Sequence, residues 1–507
     1  MNLRDFDLGT TDAKNSLLFG DEAEAKLFLD SFVEPENLQI DKFIDRKKYY
    51  VTGLKGIGKT ALLRYIAKQM DSDSSQSIFV LFKSDIDENL RKNFAMAARL
   101  QVVEENSVQS ESSDYESVWR WLIYKKIAHA IDDNFAEPFQ RTPLLEEFIA
   151  LMKSEKENSK SGINRIIPSV KKGQIEISKS PKLKLDLQWD NEGNAKIKFS
   201  QLVEKADDIF EQLPPSSGRL NIFFDELEVT YSTAKQHERD AGLIRDLIVS
   251  VEKINATAKR LGYSICLYAA IRSEVLKSVK TLGKEINKPI ADFGTEISWN
   301  QSKIESDHPL LKIIEKRINA SLAARGERSL NSNELWTTYF PQKIDDKEPQ
   351  IYILHSSWYR PRDVFKMLLL AQDHYPNEAS FNRVVLKAIR KQYASASWTE
   401  LTEELTASYK DQEIESLRHL LFGFKQRFTL SELDDISKQR SEEYQDVREL
   451  LKTHELRKIV SDLYRIGILG NFNREHNKFR FAFRGDADVI FGESLYIHNA
   501  LKSLLSI

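Results

Sequence analysis

Eight consecutive residues constrain this chain more than any other feature. From Gly53 to Thr60 the sequence reads Gly-Leu-Lys-Gly-Ile-Gly-Lys-Thr, which fits the pattern GxxxxGK[ST]. An apolar strand is predicted at residues 49–52, and a helix is predicted from residue 59 to about 70. In that context the glycines let backbone amides surround phosphates, and the helix N-terminus adds positive potential. The alternative is a glycine-rich turn before a helix, with no ligand.

Two side chains of this P-loop have separate chemical roles. Lys59 reaches the β and γ phosphates of a nucleoside triphosphate, and the Thr60 hydroxyl ligates Mg²⁺. The motif therefore predicts ATP and Mg²⁺ as the bound groups. The predicted nucleotide-binding residues of the loop are Gly53, Leu54, Lys55, Gly56, Ile57, Gly58, Lys59, Thr60 and Ala61.

A second apolar run, at residues 220–224, is followed by Asp225 and Glu226. In P-loop enzymes an Asp at this place supports the bound Mg²⁺. A Glu beside it can activate the attacking water as a general base. We predict Asp225 as a metal ligand together with Thr60, and Glu226 as a catalytic residue together with Lys59. The alternative is a strand that ends in two solvated acids.

The next predicted strand, residues 264–271, ends in Arg272. A polar side chain at the tip of a strand beside the acidic pair is suited to sense the γ-phosphate, so Arg272 is a further catalytic candidate. The alternative is a surface arginine that pairs with Glu274. Cys266 lies within this strand, and we interpret it as buried packing.

Guanine selection would require Asn-Lys-x-Asp. The stretch Asn287-Lys288-Pro289-Ile290 has isoleucine where the aspartate is needed, which favours ATP over GTP.

Length and composition set the remaining limits. A chain of 507 residues is too long for one ordinary core and predicts two to four domains. Its single cysteine excludes an intramolecular disulfide and fits a reducing compartment. No secretory signal and no run of 18 apolar residues is present, so we expect a cytoplasmic protein without a membrane span. A net charge of −3 gives no whole-molecule attraction for nucleic acid.

Alternating strands and helices predict an α/β fold, in which a parallel sheet is flanked by helices. We expect a helical lid and a winged-helix-like domain to follow this core. The predicted boundaries are 1–40 for a lead-in segment, 41–300 for the core, 301–395 for the lid and 396–507 for the last domain. A Lys-rich β-hairpin insertion is predicted near 153–199, with strands at 174–178, 183–189 and 195–199 and a turn at 191–193.

The last domain carries a helix–strand–loop–strand pattern. The helix is predicted at 456–463 and the polar loop at 471–477, and the returning strand alternates at Phe479, Phe481 and Phe483. This hairpin is basic and suggests contact with DNA phosphates. The alternative is packing between subunits with a solvated basic face. The basic residues are Arg474, Lys478, Arg480 and Arg484.

Several of these motifs together resemble the AAA+ and STAND-type P-loop ATPases. The likeness is to bacterial members that join an origin-recognition-like core to a helical lid and a winged helix. The matching stretches are GLKGIGKT, NIFFDELE, AAIRSE, FGDEAE at residues 19–24, and Trp358-Tyr359-Arg360-Pro361-Arg362-Asp363.

The resemblance implies roles for further residues. Phe19 would lie near the adenine, and Arg360 or Arg362 would be the lid arginine that contacts the γ-phosphate. Ordinary helix entry is the alternative for that Arg-Pro-Arg stretch. An arginine finger is also implied, and spacing leaves its candidates open: Arg239, Arg245 and Arg317.

These features lead to the hypothesis of an ATP-hydrolysing switch. The resemblance alone implies a homo-oligomer that works with a separate effector protein, in bacterial anti-phage defence. Three alternatives stay open: a loader or motor dependent on double-stranded DNA, a scaffold that binds ATP without turnover, and a small-molecule kinase.

Overall fold

The computed structural model describes the chain in several stretches, which form two compact units. One unit comprises residues 39–53 and 62–296, and the other comprises 1–38, 54–61 and 297–507. Most of the P-loop therefore belongs to the unit that contains the C-terminal half of the chain. The described residues are 1–11, 22–72, 74–102, 115–153, 174–178, 194–229, 233–280, 285–300, 305–406 and 408–507.

The strands form three sheets. They are β1 Tyr50–Gly53, β2 Ser75–Leu81, β3 Gln174–Ser178, β4 Asn194–Lys198, β5 Arg219–Leu227, β6 Ile265–Arg272, β7 Gly294–Glu296, β8 Arg427–Phe428, β9 Leu469–Asn473, β10 Lys478–Arg480 and β11 Ser494–Ile497.

Helices precede, separate and follow the strands in chain order. Those up to residue 296 are α1 Glu22–Ser31, α2 Ile40–Ile44, α3 Lys59–Met70, α4 Phe82–Asp85, α5 Glu88–Val102, α6 Glu116–Asp132, α7 Pro143–Met152, α8 Phe199–Phe210, α9 Ala234–Leu261, α10 Ser273–Lys280 and α11 Asn287–Phe293. Those beyond it are α12 Pro309–Ala324, α13 Ser332–Tyr339, α14 Pro349–His355, α15 Pro361–His374, α16 Arg383–Ala388, α17 Arg390–Thr402, α18 Asp411–Leu421, α19 Leu430–Glu443, α20 Gln445–Thr453, α21 Leu456–Arg465 and α22 Lys502–Leu505.

The core of the first unit is a five-stranded parallel sheet in the order β2-β5-β6-β1-β7. Its central strand β6 is buried from residue 265 to 271, as expected when helices cover both faces. Helix α9 is fixed to this strand because the Asn255 amide bonds both backbone groups of Leu267, at 2.9 and 2.8 Å. The chain therefore has the predicted α/β fold with a parallel sheet.

Part of the Lys-rich insertion is described. Strands were predicted at 174–178 and 195–199, and β3 and β4 lie there within one residue; the two pair antiparallel, with Gln174 opposite Lys198, a pairing that the sequence did not predict. The strand expected at 183–189 and the turn at 191–193 lie outside the described residues.

The C-terminal region contains a four-stranded sheet in the order β10-β9-β11-β8. The helix–strand–strand order is as predicted, but the hairpin bounds differ. Asn471 lies in β9 and not in a polar loop, because its buried amide is satisfied by both backbone groups of Ile490, at 2.9 and 2.8 Å. The returning strand ends at Arg480, and Phe481 and Phe483 stack at 4.9 Å and do not alternate.

No helix in the described ranges is long and apolar enough to cross a membrane.

Candidate functional site

The sheet brings four of the predicted site residues to one edge. Gly53, the first residue of the P-loop, ends β1 and pairs in register with Arg272 at the end of β6. β5, which carries Asp225 and Glu226, is the other neighbour of β6. Because carboxyl ends of parallel strands meet at one edge, these residues form a row where ligands bind in such folds.

The acidic pair lies in a β-bulge. β5 continues through the pair to Leu227, which corrects the prediction that the apolar strand ends before the acids. Between the pairs Phe224–Ala269 and Leu227–Ile271 the register shifts, so two residues of β5 oppose one of β6. Bulges of this kind re-aim side chains beside active sites.

Glu226 occupies the left-handed region of backbone conformation, with a φ of 56°. For a residue other than glycine this costs about 1–3 kcal/mol and persists only where surroundings hold it. Its N–H donates to Asp225 Oδ1 at 2.8 Å, and Ser84 Oγ donates to its Oε2 at 3.2 Å. The structure therefore holds the proposed base in a strained conformation.

Arg272 is already engaged by carboxylates. Its Nη2 pairs with Glu228, and its Nη1 lies 3.7 Å from Glu274 Oε1. This is the pairing that the sequence offered as the alternative to phosphate sensing. A sensing role would require phosphate oxygens to replace at least one of these carboxylates.

Residues 54–61 of the P-loop belong to the second unit. Gly56 has a φ of 76°, and a Cβ there would lie 3.3 Å from Cβ of Arg362, so backbone conformation and space both favour glycine. Lys59 is 9% exposed, and its Nζ donates to the Leu54 carbonyl at 2.8 Å. Trp299 Nε1 donates to the Ile57 carbonyl at 2.9 Å. The Lys59 ammonium thus donates to a backbone carbonyl of its own loop.

Arg360 contacts the P-loop backbone. Its Nη1 donates to the Lys55 carbonyl at 3.2 Å, while Nε and Nη2 bond the Asp363 carboxylate at 2.6 and 3.0 Å. Arg360 is 4% exposed. Burial alone would lower the pKa of Arg360, but the Asp363 carboxylate raises it above its ordinary value. Arg360, one of the two implied lid arginines, therefore lies against the loop and forms a buried ion pair with Asp363.

Acidic residues of the same unit neutralise the other cations near the loop. Glu400 Oε1 lies 3.2 Å from Nη1 of Arg362 and its other oxygen pairs with Lys366, while Lys55 pairs with Glu403. Burial raises the pKa of Glu400, but the nearby arginine and lysine charges outweigh burial and lower that pKa to about 2. A triphosphate bound at the loop would compete with these carboxylates for the cations.

A five-residue segment beginning at Trp358 extends from the C-terminal region to the loop. Trp358 Nε1 donates to the Gly467 carbonyl at 2.8 Å, and its indole stacks on His498 at 4.1 Å. Tyr359 has a φ of 50° and accepts a hydrogen bond from Arg484 at 2.7 Å. Pro361 follows two residues after Tyr359 and lies close to the P-loop. Its ring would be 3.9 Å from a Cβ atom placed on Gly58.

The remaining predictions have mixed outcomes. Phe19 lies outside the described residues. Arg245 and Arg317 are buried, and Arg239 forms a two-pronged ion pair with Glu88. An arginine finger must reach another subunit, which burial disfavours for Arg245 and Arg317, and the choice of finger stays open.

Arg484, predicted as part of a basic DNA-contacting face, instead lies with its guanidinium 4.6 Å from the Tyr359 ring centre. Cys266 is buried, which raises the pKa of its thiol to about 11 and agrees with a packing role.

The residues present fit Mg²⁺. No group of three or more His, Cys, Asp or Glu suited to a metal occurs in the part of the chain that the structure describes. A nucleotide-bound Mg²⁺ does not need one, because it uses one or two protein carboxylates together with phosphate oxygens and waters. Asp225, buried at the sheet edge of the first unit, is an oxygen donor of that kind, and the Thr60 hydroxyl, in the loop of the second unit, is another.

Comparisons with known proteins place limits on the assignment. Residues 308–402 match the family described as the FunZ-associated C-terminal helical domain, a stretch that includes Arg360 and Arg362. No curated protein matches the chain. Among solved structures, the chain is similar to the crystal structure of Cdc6p from Pyrobaculum aerophilum, at 11% identity and a TM-score of 0.34 over 95% of this chain and 96% of that chain. The fold class rests on the order and direction of the strands in the parallel sheet.

Two residues of the site could not be read from the motifs. Ser84 lies on α4, the short helix that follows β2, and a polar residue three positions after the end of that strand was the available signal. Arg64 lies on the buried side of α3, and a charged residue among apolar helix positions was its only signal.

Proposed function

We propose that this chain is an ATP-hydrolysing molecular switch of the AAA+ type. The observation that carries the proposal is the row at the sheet edge. Gly53, which opens a complete P-loop motif, is separated from the Asp225–Glu226 pair by a single strand of one parallel sheet. A strained, hydrogen-bonded glutamate at such an edge is typical of a catalytic position.

Each residue has a defined task in this proposal. The loop amides and Lys59 bind the phosphates, and Thr60 and Asp225 hold the metal. When bound, Mg²⁺ neutralises charge on the phosphate oxygens. Glu226 orients a water and accepts its proton, so that the water oxygen attacks the γ-phosphorus and ADP leaves. Arg272 and Arg362 are proposed to contact the γ-phosphate after exchanging their carboxylate partners.

The contacts of the segment from Trp358 to Arg362 support the switch. Trp358, at its start, bonds Gly467 in the C-terminal region, and Arg360, at its middle, bonds the P-loop backbone. A phosphate that draws the arginines away from their acidic partners would shift this segment, with Tyr359 as the hinge. Such coupling requires different contacts in the ATP and ADP states.

The setting of the switch is proposed on the sequence resemblance. We propose a cytoplasmic homo-oligomer of the STAND type that acts with a separate effector protein in bacterial anti-phage defence. A loader or motor dependent on double-stranded DNA is the alternative, with the exposed Arg474 and Lys478 of the winged-helix-like hairpin as its phosphate contacts. Stimulation of ATP turnover by duplex DNA that fades with salt would favour the alternative.

Phosphate release measured against Mg²⁺ concentration tests the proposal. Wild type is expected to release phosphate from ATP only with Mg²⁺, and Asp225→Asn is expected to need about ten times more Mg²⁺ for half-maximal rate, because one charged ligand is lost. Asp208→Asn, an exposed aspartate of the same unit, is the matched control. Absence of turnover in wild type, or an unchanged Mg²⁺ requirement for Asp225→Asn, would contradict the assignment.

A further inference from the structure

Arg64 is a buried arginine that the mechanism above does not use. It lies on α3, one and a half turns after Lys59, and is 7% exposed. Its guanidinium carbon sits 3.4 Å above the ring centre of Phe79. Within the described residues, neither Nε nor Nη2 has a hydrogen-bond partner. A buried guanidinium with two of its nitrogens lacking partners is costly, so its presence calls for a compensating charge.

The position of Phe79 shows which charges lie nearby. Phe79 of β2 pairs in register with Phe223 of β5, and the two rings stack at 4.9 Å. Side chains alternate along a strand, so Asp225 lies on the same face as Phe223, about 7 Å further toward the carboxyl edge. Leu81 opposite Asp225 keeps the β2–β5 register regular up to that residue. Arg64 and Asp225 therefore share one face of the sheet.

Electrostatics agree with this placement. Burial lowers the pKa of Arg64, and the charges of Asp225 and Glu226 oppose that shift. A methionine or leucine would cover the Phe79 ring at a smaller desolvation cost. The guanidinium thus occupies a buried position where an apolar side chain would cost less desolvation.

We propose that Arg64 is a positioning residue for the Asp225–Glu226 pair. Its positive charge, fixed over Phe79, holds the two adjacent carboxylates at the bulge against their mutual repulsion and against the strain at Glu226. Ser84 and the Glu226 N–H fix the pair by local hydrogen bonds, and Arg64 adds attraction from the sheet face. The inference rests on the proposed ATPase, and Arg64 acts through the carboxylates without touching the substrate.

Three variants test this role by ATP turnover, ATP affinity and thermal melting. Arg64→Met is expected to lower kcat about tenfold. ATP affinity is expected to change by less than about twofold, because a positioning residue for the carboxylates supports the transition state and not the bound ATP. Its melting temperature is expected to stay within about 3 °C of wild type. Arg64→Lys restores at least about half of kcat, since it keeps the charge. Lys68→Met, exposed on the same helix, is the matched control and matches wild type.

The possible outcomes separate the two proposals. If wild type releases no phosphate from ATP, the proposed function fails before any variant is compared. If wild type turns over and a folded Arg64→Met matches its kcat, only the positioning role is overturned. A methionine variant that fails to fold also overturns it, because the guanidinium would then serve the fold. Loss of kcat in both Arg64→Met and Arg64→Lys would likewise show that charge is not the active property.

Discussion

The Glu226→Gln variant is expected to bind ATP with wild-type affinity and to lose at least about 100-fold in kcat, which corresponds to about 2.7 kcal/mol of transition-state stabilisation. An amide retains the size of the side chain and can still accept from Ser84, but it cannot take a proton from the attacking water. Single-turnover phosphate release and equilibrium ATP binding, measured on the same preparation, separate the two effects.

Glu204→Gln, on an exposed position of α8, is the matched control and should turn over ATP at the wild-type rate. A Glu226→Gln variant as active as this control would remove the general-base role and favour a scaffold that binds ATP without using this carboxylate for turnover.

Asp363→Ala is expected to lower the free energy of unfolding by about 3–5 kcal/mol, because it leaves the buried Arg360 charge unpaired. Asp363 is fully buried, and its carboxylate bonds Nε and Nη2 of Arg360. Urea unfolding measures the loss, and Asp373→Ala, exposed on the same helix, should change the free energy of unfolding by less than about 0.5 kcal/mol.

A double variant isolates the charge from the packing. Arg360→Met combined with Asp363→Leu removes both partners of the pair, and much of the lost stability should return because no unpaired charge remains. If Asp363→Ala alone cost less than about 1 kcal/mol, the ion pair beside the P-loop would be structurally unimportant.

Features set by local sequence were predictable. The P-loop and α3 follow from glycine placement and helical period, and the observed helix, Lys59–Met70, matches the expected one. The β5 extension was not predictable, because its bulge depends on register with β6, a strand about forty residues later. The hairpin bounds near Asn471 also depended on a distant partner, the backbone of Ile490.

The candidate site likewise contains residues that were predictable from local sequence and residues that were not. Lys59, Asp225 and Glu226 were identified because their motifs are contiguous in sequence. The partners that restrain the cations were not, since Glu403 lies 348 residues from Lys55 along the chain. Arg64 was missed for a related reason. Its closeness to the acidic pair depends on which strand its helix covers, and helical period alone predicts only that the position is buried.

The proposed switch requires a triphosphate to bind at the P-loop through Lys59. Calorimetric titration of ATP with Mg²⁺ into wild type, Lys59→Ala and the exposed control Lys68→Ala measures this directly. We expect Lys59→Ala to lose at least about 100-fold in affinity, or about 2.7 kcal/mol, as a charge-assisted contact to phosphate would require, with Lys68→Ala unchanged. Equal affinities for wild type and Lys59→Ala would contradict the nucleotide site and, with it, the proposed switch.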